Sequence, residues 1–333
     1  MARDRKQEAP FSIILSLTEG CNLYCSFCGL RSIREENKPV YKLMTPENLD
    51  IIFAKVAAAG WKSRIHLAGM GEPTMNPRFV ECIAIIRKHL PRNQILLISN
   101  GGGLLRKPGP VENIRALFAA GVNILTLDDY KDANIVPKIR RALDHPDDQL
   151  VDIPVYEFDG AYGSDGNPFR RYPVGTQFLT YMKDLKITEE ETTGIRSRMH
   201  NSGGASAPPN AEKAGKRCHR PFRELTIRYD GKVPLCCQDW RGAYKVGDLL
   251  TDPLDAVWQG SALNAARRKL YAGQRDFGPC DGCDSHSYRA GLLPDPAGKA
   301  TLPRPTAETA ATIAATLAGP SWTAPVLRPW EKV

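Results

Sequence analysis

No apolar run in this chain of 333 residues approaches the ~18–20 residues that cross a bilayer. The stretch Phe11 to Leu17 is too short, and its charged, mixed-sign flank Met1 to Pro10 is wrong for a secretory signal. Both absences lead to the expectation of a cytoplasmic protein without a membrane partner. There is also no dense Lys/Arg run of the kind that marks a nucleic-acid tail, although the net charge is +8. The nearest approach is Lys138-Ile139-Arg140-Arg141, a basic turn on a candidate helix, so a nucleic-acid partner is not expected. Only about ten residues precede the first candidate strand, so a separate N-terminal peptide-binding domain is not expected.

What the chain does have is cysteine, nine in all, in clusters. In a long cytosolic chain such clusters more often bind metal or do chemistry than form disulfides. Cys21, Cys25 and Cys28 follow an apolar run at spacing C-x3-C-x2-C. Three thiolates do not close a four-coordinate structural zinc site, although a distant fourth ligand would make a zinc knuckle. They can hold a four-iron cluster and leave one iron open to a further ligand.

Residues 11–200 repeat strand and helix. Strand candidates are Ser12–Leu17, Arg64–Leu67, Gln94–Ser99, Val122–Leu127, Leu150–Phe158, and Gln177–Met182 or Gly194–Met199. Helix candidates lie between them, the first with Thr45 as N-cap, Pro46 at its first position and Gly60 as its stop. The others run from about Pro77 to His89, Val111 to Ala120 and Ala133 to Leu143. This alternation predicts an α/β fold, a partial (β/α)6 parallel barrel with its site at the C-terminal strand ends. Those ends carry the cysteine loop, then Gly69-Met70-Gly71-Glu72-Pro73, Ser99-Asn100-Gly101 and Asp128-Asp129. Cys82 falls on one helical face with Phe79, Ile83 and Ile86, and reads as a buried core thiol. Residues 159–176 read as a long loop of the kind that forms lids or binding surfaces.

A second cysteine set, Cys218, Cys236, Cys280 and Cys283, follows a linker-like stretch at 202–217. Two β-rich runs, Leu225–Tyr229 and Lys232–Leu235, flank Asp230-Gly231 and predict a hairpin that draws Cys218 toward Cys236. Four thiolates close a site, but spacing alone does not separate zinc from an iron–sulfur cluster. Cys236 and Cys237 are adjacent, so either could be the ligand; the Gly231-x4-Cys236 spacing selects Cys236 and leaves Cys237 as a spare structural thiol or a reactive one. The expected domains are 1–201, the linker 202–217, a cysteine-rich domain at 218–288, and an irregular Pro/Ala-rich extension at 289–333 with one helix over Thr306–Leu317.

The motif Cys21/Cys25/Cys28, with Phe27 just before the third cysteine, resembles the radical S-adenosylmethionine (SAM) superfamily. The later cysteines resemble that superfamily's SPASM or twitch auxiliary-cluster region, in the short form, since none follows Cys283. The resemblance implies two 4Fe–4S clusters, one binding SAM through Cys21, Cys25 and Cys28 and one auxiliary on Cys218, Cys236, Cys280 and Cys283. It places SAM against Phe27, Gly69, Gly71, Glu72, Pro73, Ser99, Asn100 and Asp128. Met70 and Asp129 depart from the family's small residues, and His200-Asn201-x-Gly-Gly resembles a late strand-end turn. It implies reductive cleavage of SAM to a 5′-deoxyadenosyl radical that abstracts a substrate hydrogen atom, with flavodoxin or ferredoxin as the external reductant. The expected outcome is oxidation or epimerisation of a polar small molecule such as an aminocyclitol or aminosugar, with Cys237 as a hydrogen-atom donor and Asp239 orienting substrate. A peptide substrate, as in a peptide maturase, and a non-catalytic zinc or iron–sulfur protein are the competing readings.

Overall fold

A computed structural model describes residues 9–25, 28–33, 40–130, 133–144, 150, 153–158, 165–185, 200–206 and 217–285. Phe27, the strand candidate Gly194–Met199 and the helix candidate Thr306–Leu317 lie outside them.

Seven strands form one all-parallel open sheet. They are β1 (Ser12–Leu15), β4 (Arg64–Leu67), β5 (Ile95–Ser99), β6 (Ile124–Tyr130), β7 (Val155–Phe158), β8 (Phe178–Leu185) and β9 (Glu224–Ile227), in the order β7-β8-β6-β5-β4-β1-β9. The short strands β2 (Thr18–Glu19) and β3 (Lys42–Leu43) pair outside it. Four helices cross over between strands: α1 (Pro46–Ala58), α2 (Phe79–His89), α3 (Pro110–Ala120) and α4 (Val136–Leu143). The α1 boundary follows the local chemistry read from sequence. Thr45 Oγ1 accepts from Asn48 N at 3.2 Å, and Gly60 takes φ 65° just past the end.

Leu49, Ile52, Phe53 and Val56 of α1 pack on Ile13, Leu15, Ile65 and Leu67 of the sheet, all 0% exposed. Cys82 lies in this layer as expected, and burial pushes its thiol up to about 12. The other face of the sheet carries a smaller apolar group, Leu96, Ile124 and Phe178, with Tyr156 and Tyr172 edge-on to the Phe178 ring. Residues 165–176 close this side at the N-terminal strand ends, not at the cysteine loop. Gln94 Nε2 donates to Arg170 O at 3.3 Å, Arg171 Nη2 to Phe11 O at 3.2 Å, and the Arg64 guanidinium to Pro168 O. The described two-thirds of the loop expected as a lid or binding surface is therefore a plug at the opposite end.

A second difference concerns the predicted hairpin. The chain does turn at Asp230-Gly231, with Gly231 at φ 80° and Arg228 N donating to Lys232 O at 2.9 Å. The ladders, however, go elsewhere. β9 lies parallel to β1, Ser12 beside Glu224 through Leu15 beside Ile227, while β10 (Lys232–Pro234) pairs with β11 (Lys245–Asp248). The reason is burial: Leu225 and Ile227 find a place in the main core that a free hairpin would leave in water. The cysteine-rich segment is thus joined to the sheet edge beside the first cysteine loop. Helices α5 (Arg220–Arg223), α6 (Leu254–Trp258) and α7 (Ser261–Tyr271) complete it. Trp258, fully buried, meets Trp61 edge-on at 6.0 Å, and Lys55 of α1 donates to the Leu249 and Asp252 carbonyls.

Candidate active site

Beyond β1 the chain is held against the next strand end by backbone alone. Gly20 N donates to Met70 O at 3.1 Å and Glu72 N to Gly20 O at 3.0 Å, a parallel bridge between Gly20 and Gly71. Gly71 must be glycine here, because a Cβ would meet the carbonyl oxygens of Gly20 and Thr18. That bridge fixes where the cysteine loop starts. Inside the loop, Leu23 N donates to Cys21 Sγ at 3.4 Å and Cys28 N to Cys25 O at 3.1 Å.

The three cysteines line one cavity of about 230 Å³ at the C-terminal strand ends. Gly69, Gly71, Glu72, Ser99, Asn100 and Asp128 line it with them. Pro73 does not; it opens the turn Pro73–Met75 behind Glu72. The Glu72 carboxylate is a junction rather than a free group. Its Oε1 accepts from Thr74 N, Thr74 Oγ1 and Ser99 Oγ at 2.9, 2.6 and 2.6 Å, and its Oε2 from Asn100 N at 2.7 Å. Burial pushes its acidity toward the neutral form, and these four bonds oppose that shift. Asn100 then reaches the cysteine loop, its Nδ2 donating to Cys21 Sγ at 3.4 Å and to Asn22 Oδ1 at 3.1 Å.

Tyr130, Ser202 and Trp240, which are not among the candidates read from the sequence, also line the cavity. Tyr130 lies two residues beyond Asp128 on β6, hence on the same face, and this alternation was a usable signal. Its hydroxyl donates to Asp128 Oδ2 at 3.5 Å. Ser202 and Trp240 come from the later part of the chain and pack on Gly29, next to Cys28. Ser202 belongs to the His200-Asn201 turn, so that turn reaches the cavity.

Burial, with the Glu72 carboxylate beside it, pushes Asp128 from 3.8 up to about 7. The folded chain therefore binds this proton more tightly than the unfolded chain. The resulting stability is fully present below about pH 4 and is lost as pH rises through about 7. In cluster-free protein, Asp128→Asn should melt higher than the parent at pH 8, with the gap closing toward pH 5. A gap that does not change with pH would rule this out.

Cys218, Cys236, Cys280 and Cys283 are all 6–7% exposed and sit on loops that the fold brings together. Cys236 is pushed up by burial and then by its neighbours Cys237 and Cys218. Cys280, pushed up to about 12, and Cys283 are likewise raised first by burial, with Cys218 acting on both. Among the described residues no three His, Cys, Asp or Glu side chains close on a single metal ion. The donor set itself, four buried thiols acting on one another, fits a thiolate-bound cluster. The turn at 200–204 binds this set to the first. Asn201 N donates to Asp284 Oδ1 at 2.9 Å and Asn201 Nδ2 to Gly282 O at 2.6 Å, while Ser202 faces the cavity.

Neither Cys237 nor Asp239 lines the cavity. Asp239 is 2% exposed and accepts from the backbone N–H of Ala243 and Tyr244 at 2.8 and 3.0 Å, which is a turn-stabilising use of a carboxylate. Cys237 lies between Arg220 and Glu224, accepting from Arg220 Nη1 at 3.3 Å and donating to Glu224 Oε2 at 3.6 Å.

Two family patterns match the chain. The radical SAM superfamily matches residues 15–146, and the SPASM iron–sulfur cluster-binding domain matches residues 218–284. The chain is a radical SAM protein with a SPASM domain. Its cofactors are accordingly SAM, a 4Fe–4S cluster and auxiliary iron–sulfur chemistry. Curated relatives include GTP 3′,8-cyclase 2 of Mycobacterium tuberculosis, 35% identical over 135 residues, a match covering 38% of this radical SAM protein and 34% of the relative. GTP 3′,8-cyclase of Aquifex aeolicus is 31% identical over 123 residues, covering 37% and 36%. The radical SAM protein thus spans about a third of the length of the curated relatives it matches. Among solved structures, BtrN in complex with AdoMet and 2-DOIA shares the fold at a TM-score of 0.57 and 15% identity, over 84% of this chain and 94% of that one. No helix among the described residues is long and apolar enough to cross a membrane.

Proposed function

We propose that this radical SAM enzyme oxidises a polar small molecule, such as an aminocyclitol or aminosugar, rather than epimerising it. Cys21, Cys25 and Cys28 would hold the SAM-binding cluster, and Cys218, Cys236, Cys280 and Cys283 the auxiliary one. When bound, these groups supply a hydrogen-abstracting 5′-deoxyadenosyl radical and a one-electron acceptor. The protein's part is to position and to exclude. Gly69 and Gly71 would let SAM approach the backbone closely, Ser99 and Asn100 present polar groups fixed by Glu72, and Ser202 and Trp240 complete the cavity lining. Asp128, its carboxyl raised to about 7, would take or share a proton with the substrate. A cytoplasmic flavodoxin or ferredoxin would provide the reducing electron.

The observation that carries oxidation over epimerisation is the position of Cys237. Epimerisation needs a hydrogen-atom donor at the substrate, and the thiols that line the cavity are Cys21, Cys25 and Cys28. Cys237 is engaged by Arg220 and Glu224 instead.

Anaerobically reconstituted enzyme, reduced and given SAM with a panel of aminocyclitols and aminosugars, should form 5′-deoxyadenosine and oxidised product in equal amounts. No solvent deuterium should enter the product, and Cys237→Ala should turn over within about threefold of the parent, since the side chain touches no reacting atom. Solvent deuterium in the product together with an inactive Cys237→Ala would establish epimerisation. Tight zinc binding without SAM cleavage would refute enzymatic function altogether. Turnover of GTP or of a peptide in the same assay would replace the proposed substrate class.

A further inference from the structure

We propose that Arg220 and Glu224 form an opposed charge pair that sets the reduction potential of the auxiliary centre, Arg220 raising it and Glu224 lowering it. The proposal rests on the assignment of Cys218, Cys236, Cys280 and Cys283 to that centre. Arg220 stands two residues after Cys218, and its guanidinium fastens the other two cysteine loops. Nε donates to Ser285 Oγ at 2.7 Å, two residues beyond Cys283, and Nη1 donates to Cys237 Sγ at 3.3 Å, next to Cys236. The same Nη1 donates to Glu224 Oε2 at 3.0 Å, and both side chains are more than four-fifths buried. The other guanidinium nearby, Arg275, directs its fork to the Cys283 and Ser285 carbonyls at 2.8 Å each, and so secures the loop.

The physical consequence follows from charge. Four thiolates make a cluster site negative, and reduction adds a further negative charge. A fixed cation beside the sulfurs stabilises the reduced state more than the oxidised one, and a fixed anion does the reverse. Partial burial weakens screening by water and salt, so the effect survives at ordinary ionic strength. Groups one layer behind the ligands are known levers on cluster potential, and here one cation and one anion occupy that layer together.

The test is a redox titration of the full-length, reconstituted protein followed by electron paramagnetic resonance, with the SAM-binding cluster as internal reference. Arg220→Gln should lower the reduced-to-oxidised ratio of the auxiliary cluster at fixed potential at least threefold, about 30 mV for a one-electron couple. Glu224→Gln should raise it by a similar factor. Arg220→Lys should remain within twofold, and the reference cluster should not move in any variant. If Arg220→Gln fails to retain its auxiliary iron, Glu224→Gln alone decides. Ratios within twofold of the parent in the variants that retain the cluster would overturn the proposal. A parent protein with no auxiliary signal would instead sink the ligand assignment, and the proposal with it.

Discussion

Cys25→Ala should abolish formation of 5′-deoxyadenosine from SAM, whereas Cys280→Ala should leave it intact and abolish substrate oxidation. Both variants should fall from about eight to about four iron atoms per chain, because each loses one of two four-iron clusters. Loss of SAM cleavage in Cys25→Ala should exceed about a thousandfold, as expected when a group that acts only with its partners is removed.

The two cysteines have separate surroundings. Cys25 lines the cavity together with Cys21 and Cys28, in a loop that begins at the Gly20–Gly71 bridge. Three thiolates leave one iron open, and two do not hold the cluster. Cys280 lies 7% exposed beside Cys218 and Cys283 and lines no part of that cavity. Its loss removes a small buried side chain in a loop secured by Arg275, so the first site should not be disturbed. Iron quantitation with product analysis checks both variants. If Cys280→Ala also stops SAM cleavage, the two sites are not independent.

Much of this was legible in the sequence because it is local. The C-x3-C-x2-C spacing, Thr45 before Pro46, and glycines just past apolar runs each state their own conformation. Cys82 was readable as core from its helical period alone. What was not legible depends on distant partners. β9 adds to β1 because Leu225 and Ile227 are taken into the main core, and no feature of residues 224–234 names that partner. The loop at 165–176 reads equally well as lid or plug until Gln94, Arg64 and Phe11 are seen to hold it at the N-terminal strand ends. Cys236 and Cys237 are neighbours, and spacing separates them weakly. Arg220 and Glu224 separate them physically by engaging Cys237. Trp240 had no signal at all, since its place depends on packing against Gly29, more than two hundred residues earlier.

The buried Glu72 junction leads to the largest stability prediction. Glu72→Leu should lower the melting temperature by about 8 °C or more and weaken SAM binding at least tenfold. At 2% exposure the carboxylate is beyond the reach of bulk water, and it accepts from Thr74 N, Thr74 Oγ1, Ser99 Oγ and Asn100 N. A leucine strands two backbone N–H groups and two hydroxyls without partners. Even if the hydroxyls rotate to other acceptors, the loss is on the order of 3–4 kcal/mol. A domain of this size converts that at about 2–4 °C per kcal/mol. Glu72→Gln is not innocent either, because its amide NH2 must face either the Asn100 N–H or the Thr74 and Ser99 donors. It should lose about half as much, since one oxygen still accepts. The binding loss follows from where the junction sits. Glu72 ties the loop after β4 to the loop after β5, and Asn100, held at its backbone by Glu72, reaches on to Cys21 Sγ at 3.4 Å. Removing the carboxylate loosens both walls of the cavity and the first thiol together. Thermal melts and equilibrium SAM binding to reconstituted protein test the two halves. Unchanged SAM affinity in a protein that melts 8 °C lower would assign Glu72 to folding alone.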